Sequence, residues 1–91
     1  MKSYVLFQQY IWLVNTIHKY KRLTLDEINQ YWLETDMSEG LPIARSTFNR
    51  HRDAILDMFG VIIECDKKDG FRYYIYNAEV LEEDSIQNWM L

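Results

Sequence analysis

Arg45, Ser46, Asn49 and Arg50 are side chains of the kind that contact base edges and phosphates, and their spacing suits one side of a helix. At 100° per residue, with Phe48 at zero, Ile55 and Phe59 fall within about 20° of Phe48. Ser46, Asn49, Arg50 and Asp53 fall opposite, and Arg45 and Arg52 lie near the border. A guanidinium can fork onto the O6 and N7 acceptors of guanine, and a carboxamide can pair with adenine in the same way. Near the start of such a helix, hydroxyls and guanidiniums also bind phosphate, which makes Thr47 a phosphate candidate beside the apolar stripe. Arg52 has two readings, a phosphate contact or a stem that covers the core. His51, about 60° from Phe48 on the same wheel, reads as a packing residue. The competing account of Arg50 is a solvated side chain paired with Asp53 or Asp57 on its own helix.

The elements needed to position this surface can be read on either side of it. Residues 4–20 have a helical period, with Leu6, Phe7, Tyr10, Leu13, Val14 and Ile17 on one broad face. Val5 and Trp12 lie on the opposite, polar face. They are expected either to be covered by another segment of the domain or to form an interface with a partner. Thr24 and Glu27 have the spacing of a capping box, so a second helix starts there and runs to about Thr35, burying Leu25, Ile28, Tyr31 and Trp32. Gly40 and Pro42 mark residues 36–42 as a loop. The third helix spans 44–59, with Gly60 placed to end it. Ala44 stands where a Ser or Thr cap is expected, a weakness of about 1 kcal/mol.

Residues 61–66 and 71–76 read as strands, and Lys67, Lys68, Asp69 and Gly70 as the hairpin loop between them. Lys67 and Lys68 would sit at a basic tip fit for phosphate contact, with Asp66 and Asp69 blunting their charge. Arg72, on the second strand, is a weaker candidate. Lys19, Lys21 and Arg22 close the first helix, where its dipole favours cations. Residues 78–91 read as a connector with a last short helix capped by Asp84 or Ser85. Its apolar Trp89, Met90 and Leu91 suggest a chain that continues or an end that docks. The order helix, helix, basic helix, two-stranded hairpin is that of an α+β winged helix-turn-helix over 1–77.

Charge and composition limit the function classes. The 91 residues suffice for one small domain. A hydrophobic fraction of 48% with few breakers argues against disorder. The net charge of -4 weighs against a polyanionic partner, but the charges are segregated. Residues 1–22 hold Lys2, Lys19, Lys21 and Arg22 and no acid, and residues 41–52 hold Arg45, Arg50 and Arg52 and no acid. Residues 23–40 hold five acids and no base, and the tail, 78–91, holds Glu79, Glu82, Glu83 and Asp84 and no base; charges beyond a Debye length of about 8 Å are screened at physiological salt. Weak DNA binding by this chain alone is therefore expected.

Cys65 is the single cysteine, so no internal disulfide framework or Cys-rich zinc site can form, and a reduced cytoplasmic setting fits best. The first helix is too polar for a membrane span, and no signal peptide is read. His18 and His51 lie on different helices without metal-ligand spacing, and Cys65 sits between Glu64 and Asp66, which oppose a thiolate. No phosphate-binding glycine loop exists. The expectation is a non-enzyme with no cofactor and no metal.

Five stretches together resemble the N-terminal winged helix-turn-helix of bacterial WYL-domain transcriptional regulators. They are Tyr10–Leu13, Thr24–Ile28, Arg45–Arg52, Ile63–Asp66 and Gly70–Tyr74, and the likeness extends to Trp89–Leu91, over nearly the whole chain. The resemblance implies a DNA-binding module followed, in a longer chain, by a WYL-type domain that senses a ligand. The resulting expectation is double-stranded DNA as partner. Helix 44–59 would enter the major groove, with Arg45, Ser46, Thr47, Asn49, Arg50 and Arg52 at the DNA and Lys67 and Lys68 on a flanking phosphate. A homodimer could place two such helices on a palindromic site. The alternative from another class is a protein-interaction or dimerisation module without direct DNA contact, with Val5, Trp12 and Trp89 at the interface.

Overall fold

The computed structural model describes residues 2–82, with side chains from 4 to 81. It is an α+β arrangement of α1 (Lys2–Tyr20), α2 (Leu25–Trp32), α3 (Arg45–Phe59) and an antiparallel hairpin of β1 (Ile63–Asp66) and β2 (Arg72–Ile75). The chain then passes through a 3-10 segment, Ala78–Glu82. Among the described residues no helix is long and apolar enough to cross a membrane.

One core joins all five elements. Leu13, Val14 and Ile17 of α1 meet Leu25, Ile28 and Trp32 of α2, Phe48, Ile55 and Phe59 of α3, Val61 just before β1, and Ile63 and Tyr73 of the hairpin. Phe48 is fully buried and packs edge-on to Tyr73, with ring centroids 4.6 Å apart. Burying a side chain of this size stabilises by about 1.5–3 kcal/mol. It also fixes how α3 turns relative to the hairpin. Leu81, within the stretch 78–91 read as a connector, is buried in the same core. The final helix expected near Asp84 or Ser85, and Trp89 with it, lie outside the described residues.

The α1 helix begins earlier than its pattern implied. Its buried stripe also starts later, since Leu6 is exposed although it shares a face with Phe7. Phe7 packs on Phe59 at the end of α3, and Tyr4, Val5 and Leu6 before it are exposed.

The capping box at the start of α2 is complete. Glu27 N–H donates to Thr24 Oγ1 at 3.1 Å, and Thr24 N–H donates to Glu27 Oε1 at 2.9 Å. The helix stops at Trp32, short of Thr35. The Thr35 hydroxyl and amide both return to the Trp32 carbonyl, and a 3-10 turn over Asp36–Ser38 follows. Side chains of this type compete with the helical ladder by bonding the nearby backbone. Glu39 and Gly40, with φ of 52° and 79°, then turn the chain toward α3.

Two details of the hairpin departed from the sequence reading. The ladder pairs Ile63 with Ile75 through Asp66 with Arg72, so both strands are shorter than expected and Phe71 belongs to the connection. A single bridge also joins Leu23 to Tyr73, with N–H···O distances of 3.1 and 2.7 Å. The segment between α1 and α2 thus acts as a one-residue third strand on the β2 edge. It ties the hairpin to the helices.

Candidate nucleic-acid interface

The start of α3 is held from three directions. Asn29 of α2 bonds both backbone groups of Ile43, at 2.7 and 3.0 Å. Trp32 Nε1 donates to the Leu41 carbonyl at 2.9 Å, and Ser38 Oγ accepts from Gly40 N–H at 3.1 Å. A loop that composition alone would leave loose is therefore fastened to α2 just before the basic helix. Ala44 occupies the N-cap position in extended backbone and offers no side-chain bond, as its residue type dictates. Gly60 ends α3 at φ 70°, its N–H donating to the Leu56 carbonyl at 2.8 Å.

Arg45, Ser46, Asn49 and Arg50 are all exposed on α3, with Ser46, Asn49 and Arg50 on the side away from buried Phe48 and Ile55 and Arg45 at its border. Thr47 is half-buried, and its hydroxyl accepts from Arg50 Nη2 at 3.2 Å. That weak exposed contact stands in place of the competing account's pairing with Asp53 or Asp57, neither of which forms an ion pair with Arg50 among the described residues. Arg45 Nη1 lies 3.4 Å from Tyr73 Oη, at the limit of a hydrogen bond, which directs the first turn of α3 toward β2.

Arg52 has a different role from its neighbours. Its Nε and Nη2 both donate to the Ile63 carbonyl, at 3.0 and 2.6 Å, and its guanidinium carbon sits 5.2 Å from the Tyr73 ring centroid. Nη1 donates to Asn49 Oδ1 at 3.1 Å. Of the two readings of Arg52, this geometry favours the structural one. The guanidinium fork is used up joining α3 to β1 and holding the Oδ1 of exposed Asn49. The groove between α3 and the hairpin below this link is lined by Asp53, Leu56, Ile62 and Glu64 as well as Arg52 and Asn49. Its acids leave the anion-attracting part of the surface at the N-terminal half of the helix.

His51 is buried and packs edge-on to Tyr10 at 5.2 Å. Burial pushes its pKa down, and the neighbouring Arg50 charge pushes the same way.

At the hairpin tip, Lys67 and Lys68 are exposed and take part in no ion pair among the described residues. The acids beside them are already engaged. Arg22 Nη1 reaches Asp66 at 3.1 Å and Asp69 at 3.3 Å while its guanidinium stacks 4.5 Å over Tyr74. Arg72 Nη1 reaches Asp69 at 3.4 Å. Arg22 is thus a cross-domain partner of the hairpin, where the sequence reading accounted for it by the α1 dipole alone. With Arg22, Lys67, Lys68 and Arg72 set against Asp66 and Asp69, the tip carries a positive surplus.

The three residues expected at an interface differ in what surrounds them. Trp12 is half-buried and meets Trp32 edge-on at 5.2 Å, so much of its cover comes from α2 of the same domain. Val5 is exposed, as are its neighbours Tyr4 and Leu6. Trp89 lies outside the described residues.

Asn29 and Asn77 were missed by reasoning from sequence. Asn77 donates to the Gly60 carbonyl at 2.8 Å and accepts from Ile62 N–H at 2.9 Å, closing the base of the hairpin against the end of α3. Neither residue has a local signature, because their partners lie 14 to 17 positions away. No protein-family model, curated protein or solved structure matches the chain.

Proposed function

We propose that this chain is a winged helix-turn-helix DNA-binding domain of a transcriptional regulator, acting in the bacterial cytoplasm as a binding module rather than an enzyme. In this reading α3 enters the major groove. Arg50 and Asn49 face the bases, Arg45, Ser46 and Thr47 lie near phosphate, and Lys67 and Lys68 on the wing meet a flanking phosphate. Sensing of a ligand would belong to a WYL-type domain in a longer chain.

The observation that carries the proposal is the pairing of an exposed, acid-free first half of α3 with a hairpin tip whose own acids are neutralised by Arg22 and Arg72. The uncapped first turn of α3 supports it too, since free backbone N–H groups at a helix start favour a phosphate. The net charge of -4 matters less than this local arrangement, because phosphate contacts act within a few ångströms.

The test is fluorescence anisotropy on duplex DNA at about 50 and about 200 mM salt, beside an Arg45→Ala/Arg50→Ala double variant. Arg52 is left intact because its loss would disturb the fold. Binding that falls steeply with salt and disappears in the double variant supports the reading. No binding by the wild type at low salt would overturn it.

One observation favours a second reading, a protein-interaction or dimerisation module. Tyr4, Val5 and Leu6 form an exposed apolar run at the start of α1. Sedimentation up to about 100 μM, a concentration that would reveal even weak self-association, tests it. A strict monomer whose behaviour is unchanged by Val5→Ser would remove its support.

A further inference from the structure

Phe71 is exposed at a place where packing gives it no role. It ends the five-residue connection 67–71 that is closed by the Asp66–Arg72 pair, and it is 56% exposed. Its φ is 60°, directly after Gly70 at 66°. Glycine adopts this left-handed backbone freely, but a residue with a Cβ does so only under constraint. The constraints are visible. Asp66 Oδ1 accepts from Lys68 N–H at 3.1 Å, and Arg72 Nη1 donates to the Asp69 carbonyl at 3.2 Å. The turn thus leaves an aromatic ring exposed in an unfavourable conformation, in the same five-residue connection as two lysines that take part in no ion pair among the described residues, with Asp66 and Asp69 already engaged by Arg22 and Arg72.

We propose that Phe71 is a minor-groove contact, its ring lying against sugar and base edges beside the site read by α3 while Lys67 and Lys68 meet the adjoining phosphates. Apolar side chains inserted at a base step act in this way, and flexible pyrimidine–purine steps accept them at least cost. The proposal rests on the DNA-binding reading and extends it from phosphate contact by the wing to a preference for deformable sequence. A duplex is favoured over an anionic membrane because the hairpin is not an isolated finger. Arg52 fastens it to α3, and Arg45 leans on Tyr73. A partner must therefore suit the helix and the tip together, and a bilayer would engage only the tip.

The test is Phe71→Gly in the full chain, with Phe71→Asn as a second variant that tolerates the backbone but lacks the ring. The duplex is one selected from a random pool by the wild type. The expected result has opposite signs: Tm rises as the strain is released, and affinity for the selected duplex falls by about tenfold, the scale of losing one well-placed contact. The preference for a flexible step should also be lost. Affinity unchanged in both variants would overturn the proposal, as would a fall in affinity that merely tracks a fall in Tm. Binding to vesicles of anionic phospholipid that depends on Phe71, with duplex affinity unchanged, would assign the tip to a membrane instead. If affinity is unchanged in both Phe71 variants while wild-type DNA binding still depends on Arg45 and Arg50, only this inference falls. No wild-type binding to any duplex would overturn both readings.

Discussion

The carboxamide of Asn29 serves Ile43 as a neighbouring strand would, accepting its N–H at 2.7 Å and donating to its carbonyl at 3.0 Å. Two residues before α3 begins, the chain is thereby locked to α2 by a side chain rather than by secondary structure. The direction in which α3 leaves the loop depends on this pair.

Replacing Asn29 with Ala leaves two part-buried backbone groups without their partner. Such a loss costs about 1–3 kcal/mol of stability. Urea denaturation should give that difference, and amide exchange should show the Ile43 N–H losing protection. Asn29→Asp should recover little, because its second oxygen would face the Ile43 carbonyl.

The arginines of α3 should separate into two classes. Arg52→Met removes a guanidinium bonded twice to the Ile63 carbonyl. Hydrogen bonds to a charged donor contribute about 1.5–3 kcal/mol, and a loss of that order is expected in denaturant melts. Arg45→Ala and Arg50→Ala alter exposed side chains and should stay within about 0.5 kcal/mol of the wild type. Equal destabilisation by all three would contradict the division of roles.

On DNA the order should reverse. Arg50→Ala is expected to cost about 1–3 kcal/mol and relax specificity at one base pair, whereas Lys68→Ala should weaken binding to all sequences and lower the salt slope by about one. Competition binding on a set of single-base-pair variants measures both. A uniform loss for Arg50→Ala would make it a phosphate contact.

Ala44 has cap geometry, φ -69° and ψ 153°, without a cap side chain. Ala44→Ser should stabilise the fold by about 1 kcal/mol by accepting a first-turn N–H. The same hydroxyl would compete with any phosphate held there, so a rise in Tm with some loss of DNA affinity is the expected pair of results.

His51 should add an acid-side loss of stability. Its folded pKa lies below the ordinary value of 6.5, because burial and Arg50 both disfavour the imidazolium. The unfolded chain therefore takes up the proton first. The contribution is full above 6.5, begins to fall as the pH drops past that value, and is lost through the folded pKa. A Tm-versus-pH series in which His51→Gln is flatter than the wild type between about pH 7 and 5 checks this. Parallel curves would rule out His51 as the source.

Local signals in the sequence were sufficient for several features whose physics is local, although the Thr35 bonds that end α2 early at Trp32 were not among them. The Thr24–Glu27 capping box, the missing cap at Ala44, the left-handed stop at Gly60 and the Phe48–Ile55–Phe59 stripe involve residues within a few turns of one another, so residue type and spacing determined them. The sequence could not assign Arg52, because whether its fork meets phosphate or the Ile63 carbonyl depends on how closely β1 approaches α3. Arg22 and Trp12 are similar cases. One pairs across the domain with Asp66 and Asp69, and the other finds Trp32 on α2, contacts that no periodicity encodes. The Leu23–Tyr73 bridge, the Asn29 clamp and the exposure of strained Phe71 likewise exist only once the chain has closed on itself. Helix and turn formation is set by short-range sterics and hydrogen bonding, whereas the partner of a long polar side chain is set by what packing brings within 3 Å of it. For this protein, residue order determined which faces are apolar and which are basic. The tertiary structure decided which of the basic groups remain free to meet another molecule.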